Sequence, residues 1–451
     1  MVHERESLSP FGSVLFPHIF RSFRMAVQPS KLVLAFAALT IICVTGRLMD
    51  LSQTVVVSNQ GHVSLPGGIM GRWPQGGTTE LDAYLRSEAE LRTLLDSPQA
   101  ETAKTGVFRT LWEFADAELQ TTTTSLTAFD IRQFTSYLIN SVLRCGRAAA
   151  WAFTYHTIYS LVFSVVALAA LSLAGGAICR IAAIEFARDG KTRLGQAWRF
   201  ARRRFASLVS APIGPLVIAG LLGLPIVAIG ALGNIPYAGE LLTGLLLPLA
   251  LILAPFIAVI LIGAAAGLNL LFPAIAYEDS DFFDAISRCV SSVYARPWRL
   301  GFYTLAAAVY GAVCYLFVRF FSFALLGLTY GFLQVGLDDA KLQAIWPQPT
   351  FANLLGASAV APKMWSLGLA AFFIRIWVLG VIGLMVSFLI SFYFTASTIL
   401  YALMRNRVDG TGLDEVYEAP EGDTLALEQP SIPTSDPATT HVAGSTRATS
   451  E

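Results

Sequence analysis

Charge is what this sequence has least of. Of its 451 residues only 14% are Asp, Glu, Lys or Arg, against about 25% in a soluble globular protein. No charged residue occurs from Phe205 to Gly239, nor from Leu241 to Tyr277. A bilayer core needs roughly 20 apolar residues per spanning helix. Both runs exceed that, which excludes a soluble globular chain. Cysteine is also scarce. Cys43, Cys145, Cys179, Cys289 and Cys314 are far apart and form no C-x-x-C pair. That spacing predicts neither a disulfide framework nor a zinc site. The five histidines, His3, His18, His62, His156 and His441, form no cluster in sequence. H-E-x-x-H, G-x-S-x-G, P-loop and G-x-G-x-x-G arrangements are all missing, so no motif names a catalytic residue, a cofactor or a metal.

What is present is apolar sequence in helical lengths. The reading is an all-α integral membrane protein with six transmembrane helices. After a leader over 1–31, spans are placed at 32–47, 148–178, 208–232, 241–267, 300–326 and 366–404. In the leader, Pro17 suits a helix start. Ile19, Phe20, Phe23 and Val27 share a face opposite Arg21 and Arg24, the pattern of a short interfacial helix. The first span is short, with Arg47 placed to snorkel. A signal peptide is its rival, but the n-region is long and no A-x-A site follows. Pro248 and Pro255 are expected to kink the fourth span, and Asn269 with Pro273 to end it. "GAAAG" (263–267) is a small-residue stretch suited to close helix packing.

Residues 48–147 are the large polar insertion. A turn-rich opening, "SLPGGIMGRWPQGG", precedes helical spacing of Leu81, Tyr84, Leu85, Leu91, Leu94 and Leu95, then of Val107, Leu111, Phe114 and Leu119. A small helical module is expected, packed against the membrane. From 408 to 451 the composition turns to acidic residues, Pro, Ser and Thr, as in a disordered tail. The segment 327–365 reads as a loop or a partly interfacial helix.

The densest charge lies in "AWRFARRRFASL" (197–208). Leu194, Ala197, Trp198, Ala201, Phe205 and Leu208 fall on one helical face, with Arg199, Arg202 and Arg203 on another. This is an elbow helix at the membrane surface, its arginines at the headgroups. Basic residues in short loops mark the cytoplasmic side. Lys and Arg number four in 1–31, eight in 180–204, three in 288–299 and two in 405–407; the loop 233–240 holds none. Both termini are therefore expected in the cytoplasm of a cell membrane, with 48–147 outside. A second elbow is expected at 279–299, answering the first at 180–207. At one constant spacing Ala183, Glu185, Arg203 and Phe205 overlay Ala276, Glu278, Arg296 and Trp298. Phe282, Ala285, Ile286, Cys289, Val290 and Val293 form its apolar face. A parallel repeat of span, elbow and span follows, with "TILY" (398–401) echoing "AIAY" (274–277).

The stretches "FRMAVQPSKL", "AWRFARRRF", "PAIAYEDSDFFDAISRCVSSVYARPWRL", "YGAVCYLFVRFFSF" and "LDEVY" resemble a group of uncharacterised bacterial multi-pass inner-membrane proteins. A looser similarity runs to the membrane domain joined to some glycerophosphodiester phosphodiesterases, whose catalytic residues have no counterpart here. The resemblance implies a membrane fold with repeated elbows and carries no activity.

Arg199, Arg202, Arg203, Arg204 and Arg296 are the candidate contacts to anionic lipid headgroups, at about 1 kcal/mol per basic residue near the surface. Arg319 and Arg375 interrupt apolar spans, where charge is costly. Two readings of them stay open: snorkelling, or the flanks of an anionic pocket with Glu240, Asp338 and Asp339 as counter-charges. Glu185 and Glu278 end spans beside the elbows. They read as partners of Arg188, Arg203 or Arg296, or as a coupled ion site. The partners expected are the bilayer, anionic lipid and a protein bound through 48–147 or the tail. Nucleic acid is not, because apolar residues interleave the arginines. Function divides three ways: a non-enzymatic envelope scaffold or accessory protein first, then a small transporter, then a membrane enzyme of lipid or envelope metabolism.

Overall fold

The computed structural model describes residues 16–58, 79–96, 102–127, 131–190, 192–356 and 364–416. The turn-rich opening at 64–77 and the tail from 417 onward lie outside the described residues. The fold is all-α, with one short antiparallel strand pair among the described residues. Among the described residues, six helices are long and apolar enough to cross a membrane. They are α2 (Pro29–Met49), α7 (Thr157–Arg188), α9 (Phe205–Leu232), α10 (Ala238–Glu278), α12 (Pro297–Gly336) and α14 (Trp365–Asp409). Five of them centre within a few residues of the expected spans, whereas α7 lies further along the chain than the expected 148–178. At about 1.5 Å per residue the 45 residues of α14 reach roughly 68 Å, about twice a hydrocarbon core of ~30 Å.

The core is concentrated at one end of the bundle. There the last turns of α7 (Ile178 to Phe186), α10 (Leu270 to Tyr277) and α14 (Ile399 to Met404) pack together. The elbows close this end: α8 (Leu194–Arg203) and α11 (Phe282–Ala295). Ala285, Ile286, Cys289 and Val293 of α11 are buried, as the apolar face requires. On α8 the buried face is Ala197, Phe200 and Ala201. Leu194 and Trp198 are exposed, at 41% and 39%, instead of joining it.

The leader also departs from a helix simply lying on the surface. A 3-10 turn (Phe16–Phe20) runs into α1 (Arg21–Ala26). Ile19, Ser22, Met25 and Ala26 are buried, while Phe20 and Val27 are exposed. The Ala26 carbonyl accepts from Ser391 Oγ at 2.8 Å, and the Phe20 carbonyl from Tyr310 OH at 3.0 Å. The small residues let the leader dock on α14 and α12. The stretch after α14 folds back too: Val416 is buried and Leu413 packs against the same core.

Pro273 does not end the fourth span. Helix α10 continues through Pro248, Pro255 and Pro273 to Glu278. An interior proline costs about 3 kcal/mol or more. Here Leu270, Leu271 and Ala274 to Tyr277, all buried at the bundle end, hold the helix together across it. The second span begins later than the expected 148. The chain breaks at His156 (φ −127°, ψ 49°), and residues 148–155 belong to α6 (Ile131–Tyr155) of the module.

The module itself contains α3 (Glu80–Arg86), α4 (Glu88–Leu95), α5 (Val107–Thr127) and α6. Thr79 and Asp82 form a capping box at the start of α3, and Ser87 caps α4. Leu81, Leu91, Leu94 and Val107 are buried, as their spacing predicts, but Leu95 is exposed. An antiparallel pair, β1 (Val55–Ser58) with β2 (Thr102–Thr105), was not expected from the helical patterning. The run of three valines is its signal, since β-branched side chains favour strands. Asp50, just beyond α2, accepts the backbone N–H groups of Phe108 and Arg109 at 2.9 and 2.8 Å. It thereby neutralises the α5 N-terminus and fixes the module to the first span. Trp151, fully buried, adds on the order of 4 kcal/mol of apolar burial. After α12, helix α13 (Asp339–Ile345) and the turns to Gly356 pack over the module end of α12 and α14.

Candidate functional site

Helix ends carry partial charge, and the elbow end gathers three of them. Helices α7, α10 and α14 stop at Asp189, Asp279 and Gly410, each with positive φ. Around these caps the charges pair across elements. Arg204 reaches Asp279 at 2.6 Å and Asp281 at 3.0 Å, and Arg203 reaches Asp279 at 2.7 Å. The link between α8 and α9 is thus riveted to the link between α10 and α11. Arg203 and Arg204, expected at lipid headgroups, are held in these intramolecular pairs. Arg199, Arg202 and Arg296 are exposed, and the 90% exposed Trp298 follows Arg296.

Glu185 and Glu278 both serve as ion-pair hubs, with different partners from those expected. The Lys31 ammonium, completely buried, lies 2.7 Å from Glu185 Oε2 and donates to the Met25 carbonyl at 3.0 Å. Gln28 Nε2 donates to the other oxygen of Glu185. Arg21 pairs with Asp189 at 2.5 Å. The leader is therefore clamped to the end of α7. Glu278 pairs with Arg405 at 2.8 Å and with Arg288 at 3.8 Å, and accepts from Tyr401 OH at 3.3 Å. A hydrogen bond to Asp284 raises the Arg288 pKa further, and the Glu278 charge adds to it. Measured by helix ends, Arg188 rather than Glu185 takes the place of Glu278, because these are the last helical residues. The constant spacing that overlays the two glutamates in sequence does not carry through the caps.

Arg319 is neither snorkelled nor facing a carboxylate. Its side chain is buried. Nε donates to the Phe351 carbonyl at 3.0 Å, Nη2 to the Ala352 carbonyl at 2.8 Å, and Nη1 to Tyr315 OH at 2.6 Å. The guanidinium also lies over the rings of Tyr315 and Phe351. A planar fork suits this set of oxygens. These partners replace Glu240, Asp338 and Asp339, which are exposed. Arg375 is exposed on α14, so the two arginines sit in unlike surroundings.

Three further groups carry no sequence signal of their own. Lys31 hides in the first turn of a span. Arg180, inside α7, donates to the Ala276 carbonyl at 2.7 Å and covers the Phe200 ring. At the module end, buried Glu80 accepts from the Val56 N–H at 3.2 Å and Trp151 Nε1 at 3.3 Å. Its Oε1 lies 3.5 Å from His156 Nε2, and His156 Nδ1 lies 3.3 Å from Thr54 Oγ1. His156 therefore does join a cluster, built from residues far apart in sequence. Among the described residues, no three His, Cys, Asp or Glu side chains converge as a metal site. The chain matches no protein-family model, no curated protein and no solved structure.

Proposed function

We propose that the protein is a non-enzymatic scaffold or accessory protein of a cell membrane. Its elbow end and both termini face the cytoplasm, and residues 48–147 lie outside. One observation carries this reading. The three charged side chains buried in the described spans, Lys31, Arg180 and Arg319, all bind groups of the same chain. A transport path needs polar groups that exchange partners with a substrate near the midplane. Rivets of this kind fix helix ends instead. On the cytoplasmic face, Arg199, Arg202 and Arg296 contact anionic lipid, with Trp198 and Trp298 at headgroup depth.

The test is aqueous accessibility of the bundle. Single cysteines at Ala174, Ala211, Leu271 and Ser387, in otherwise Cys-free protein, are treated with a water-soluble maleimide in native membranes. These buried positions should stay unlabelled while elbow positions label. Labelling at all four would expose a wet path and replace the scaffold with a transporter.

A further inference from the structure

A helix on the surface of a soluble module buries its apolar side and turns its charges to water. Helix α6 does the reverse. Ile139, Val142, Leu143 and Phe153 are 57%, 64%, 61% and 48% exposed. Gly146 and Ala150 lie between them on the same face and are exposed too. At about 100° per residue these six share about a third of the helix circumference, and no polar side chain of 139–153 interrupts them. The charges point inward instead. Arg144 pairs with Glu118 of α5 at 2.8 Å and lies over the Phe114 ring, and Ser141 Oγ donates to the same Glu118. Arg147 Nη2 donates to the Tyr84 carbonyl of α3 at 3.0 Å. Buried Ala148, Trp151 and Ala152 complete the inner side.

Two independent observations identify what covers the apolar side. The first is where α6 is pinned. Helix α5 starts on Asp50, at the end of α2, and Leu119 near its middle still packs against the cluster formed by α12, α13 and α14. It therefore runs across the module end of the bundle and not away from it. Helix α6 is tied to α5 at Glu118, beside Leu119, and its own C-terminus passes at His156 into α7. Ser160 Oγ bonds the Ala152 carbonyl across that break at 2.7 Å. The second is continuity. Past the break, exposed apolar surface resumes at once with Ile158, Leu161, Val162 and Val165 at the head of the span. A lipid leaflet covers those residues, and the adjoining face of α6 lies at its boundary. Arg147 borders this face and is exposed, a place from which a guanidinium reaches headgroup phosphates. A second copy pairing through the same face would need α6 to stand clear of the bundle, which its ties to α5 and α7 prevent. We propose that α6 lies in the interface of the leaflet on the module side, with Ile139, Val142, Leu143 and Phe153 below the headgroups and Arg147 among them. The module is thus seated on lipid as well as on the spans. This rests on the spans alone, and neither on the scaffold reading nor on which side of the membrane the module occupies.

The experiment uses the full chain, otherwise Cys-free, in vesicles of phosphatidylcholine and phosphatidylglycerol. A fluorescent label is attached to Val142→Cys, Gly146→Cys or Ala150→Cys on the apolar face, and to Asn140→Cys or the native Cys145 off it. A Cβ at Gly146 meets nothing within 4 Å, and all five positions are exposed, so each labelled protein should melt in detergent like the parent. Labels on the face should be quenched by lipid carrying a spin label high on its acyl chain and shielded from aqueous iodide. Labels at Asn140 and Cys145 should show the reverse. Val142→Glu with Phe153→Glu places charge on either side of Gly146 and should abolish lipid quenching there without lowering the melting temperature in detergent. Iodide quenching on the face equal to that at Cys145, or lipid quenching at Gly146 unchanged by the two glutamates, would overturn the proposal. Shielding from both quenchers would also overturn it and assign the face to protein, and interchain disulfides through Gly146→Cys would then identify a second copy.

Discussion

Lys31 and Glu185 pose the question of what a buried ion pair is worth. Breaking one by removing a single partner typically costs about 3–5 kcal/mol, whereas replacing both by well-packed apolar groups is often neutral. Glu185→Gln strands a fully buried ammonium on the Met25 carbonyl. It should therefore destabilise at least as much as Lys31→Met, which leaves Gln28 on Glu185. The double variant Lys31→Met, Glu185→Gln removes both charges and should recover most of the loss. Melting of the four proteins in one detergent gives the cycle directly, and additive losses would rule out the clamp. Arg319 invites a different test, because its value lies in shape. Arg319→Lys keeps the charge but cannot reach Tyr315, Phe351 and Ala352 together. A fully buried carbonyl left unpaired costs about 1–3 kcal/mol, and the half-buried Phe351 and Ala352 carbonyls should cost less. Limited proteolysis between Pro347 and Gly356 should accelerate in this variant; an unchanged cleavage rate would show that the loop does not depend on the guanidinium.

At the scale of the element, contrasts between glycines separate helix–helix contact from lipid contact. A Cβ added at Gly175 or Gly176 of α7 would run into Phe394 or Leu208, while one at Gly223 of α9 meets nothing within 4 Å. Gly176→Ala should destabilise by roughly 1–3 kcal/mol through overpacking. Gly223→Ala should be neutral or gain up to ~1 kcal/mol from helix propensity. Thermal aggregation midpoints in detergent check both signs. The same contrast explains what was legible in the sequence. The spans were legible because uncharged length alone specifies them, and the α11 face because Ala285, Ile286, Cys289 and Val293 keep strict helical spacing. The break at His156 was not, because the apolar residues flanking it continue a helical pattern. Pro273 misled because its cost is local, while its compensation comes from α7 and α14. The partners of Lys31 and Glu80, and the Phe351 and Ala352 carbonyls that hold Arg319, were invisible for a simpler reason: each lies on another element, at a separation no motif encodes.

For the whole molecule, the arrangement of elbows and module across the membrane is open to a native reporter. Cys145 is exposed on α6, whereas Cys179, Cys289 and Cys314 are buried and Cys43 lies within the first span. A membrane-impermeant maleimide should thus report mainly on Cys145 in the unmodified chain. Partial burial raises its thiol pKa, with the nearby Glu118 carboxylate adding to the effect and Arg144 opposing it. The thiolate is the reactive form. A raised pKa means less thiolate at any pH below it, so labelling should be slower than for a free cysteine and should keep rising with pH after the free thiol has levelled off. Glu118→Gln removes the carboxylate charge and should move the profile to lower pH. If residues 48–147 face outward, intact cells label at Cys145, and inverted membranes label only after permeabilisation. A cysteine placed at Arg199 on the elbow should behave in the opposite way. Labelling of both positions from one side would contradict a chain that crosses once, through α7, between Cys145 and Arg199, and with it the assignment of the elbow arginines to the leaflet opposite the module.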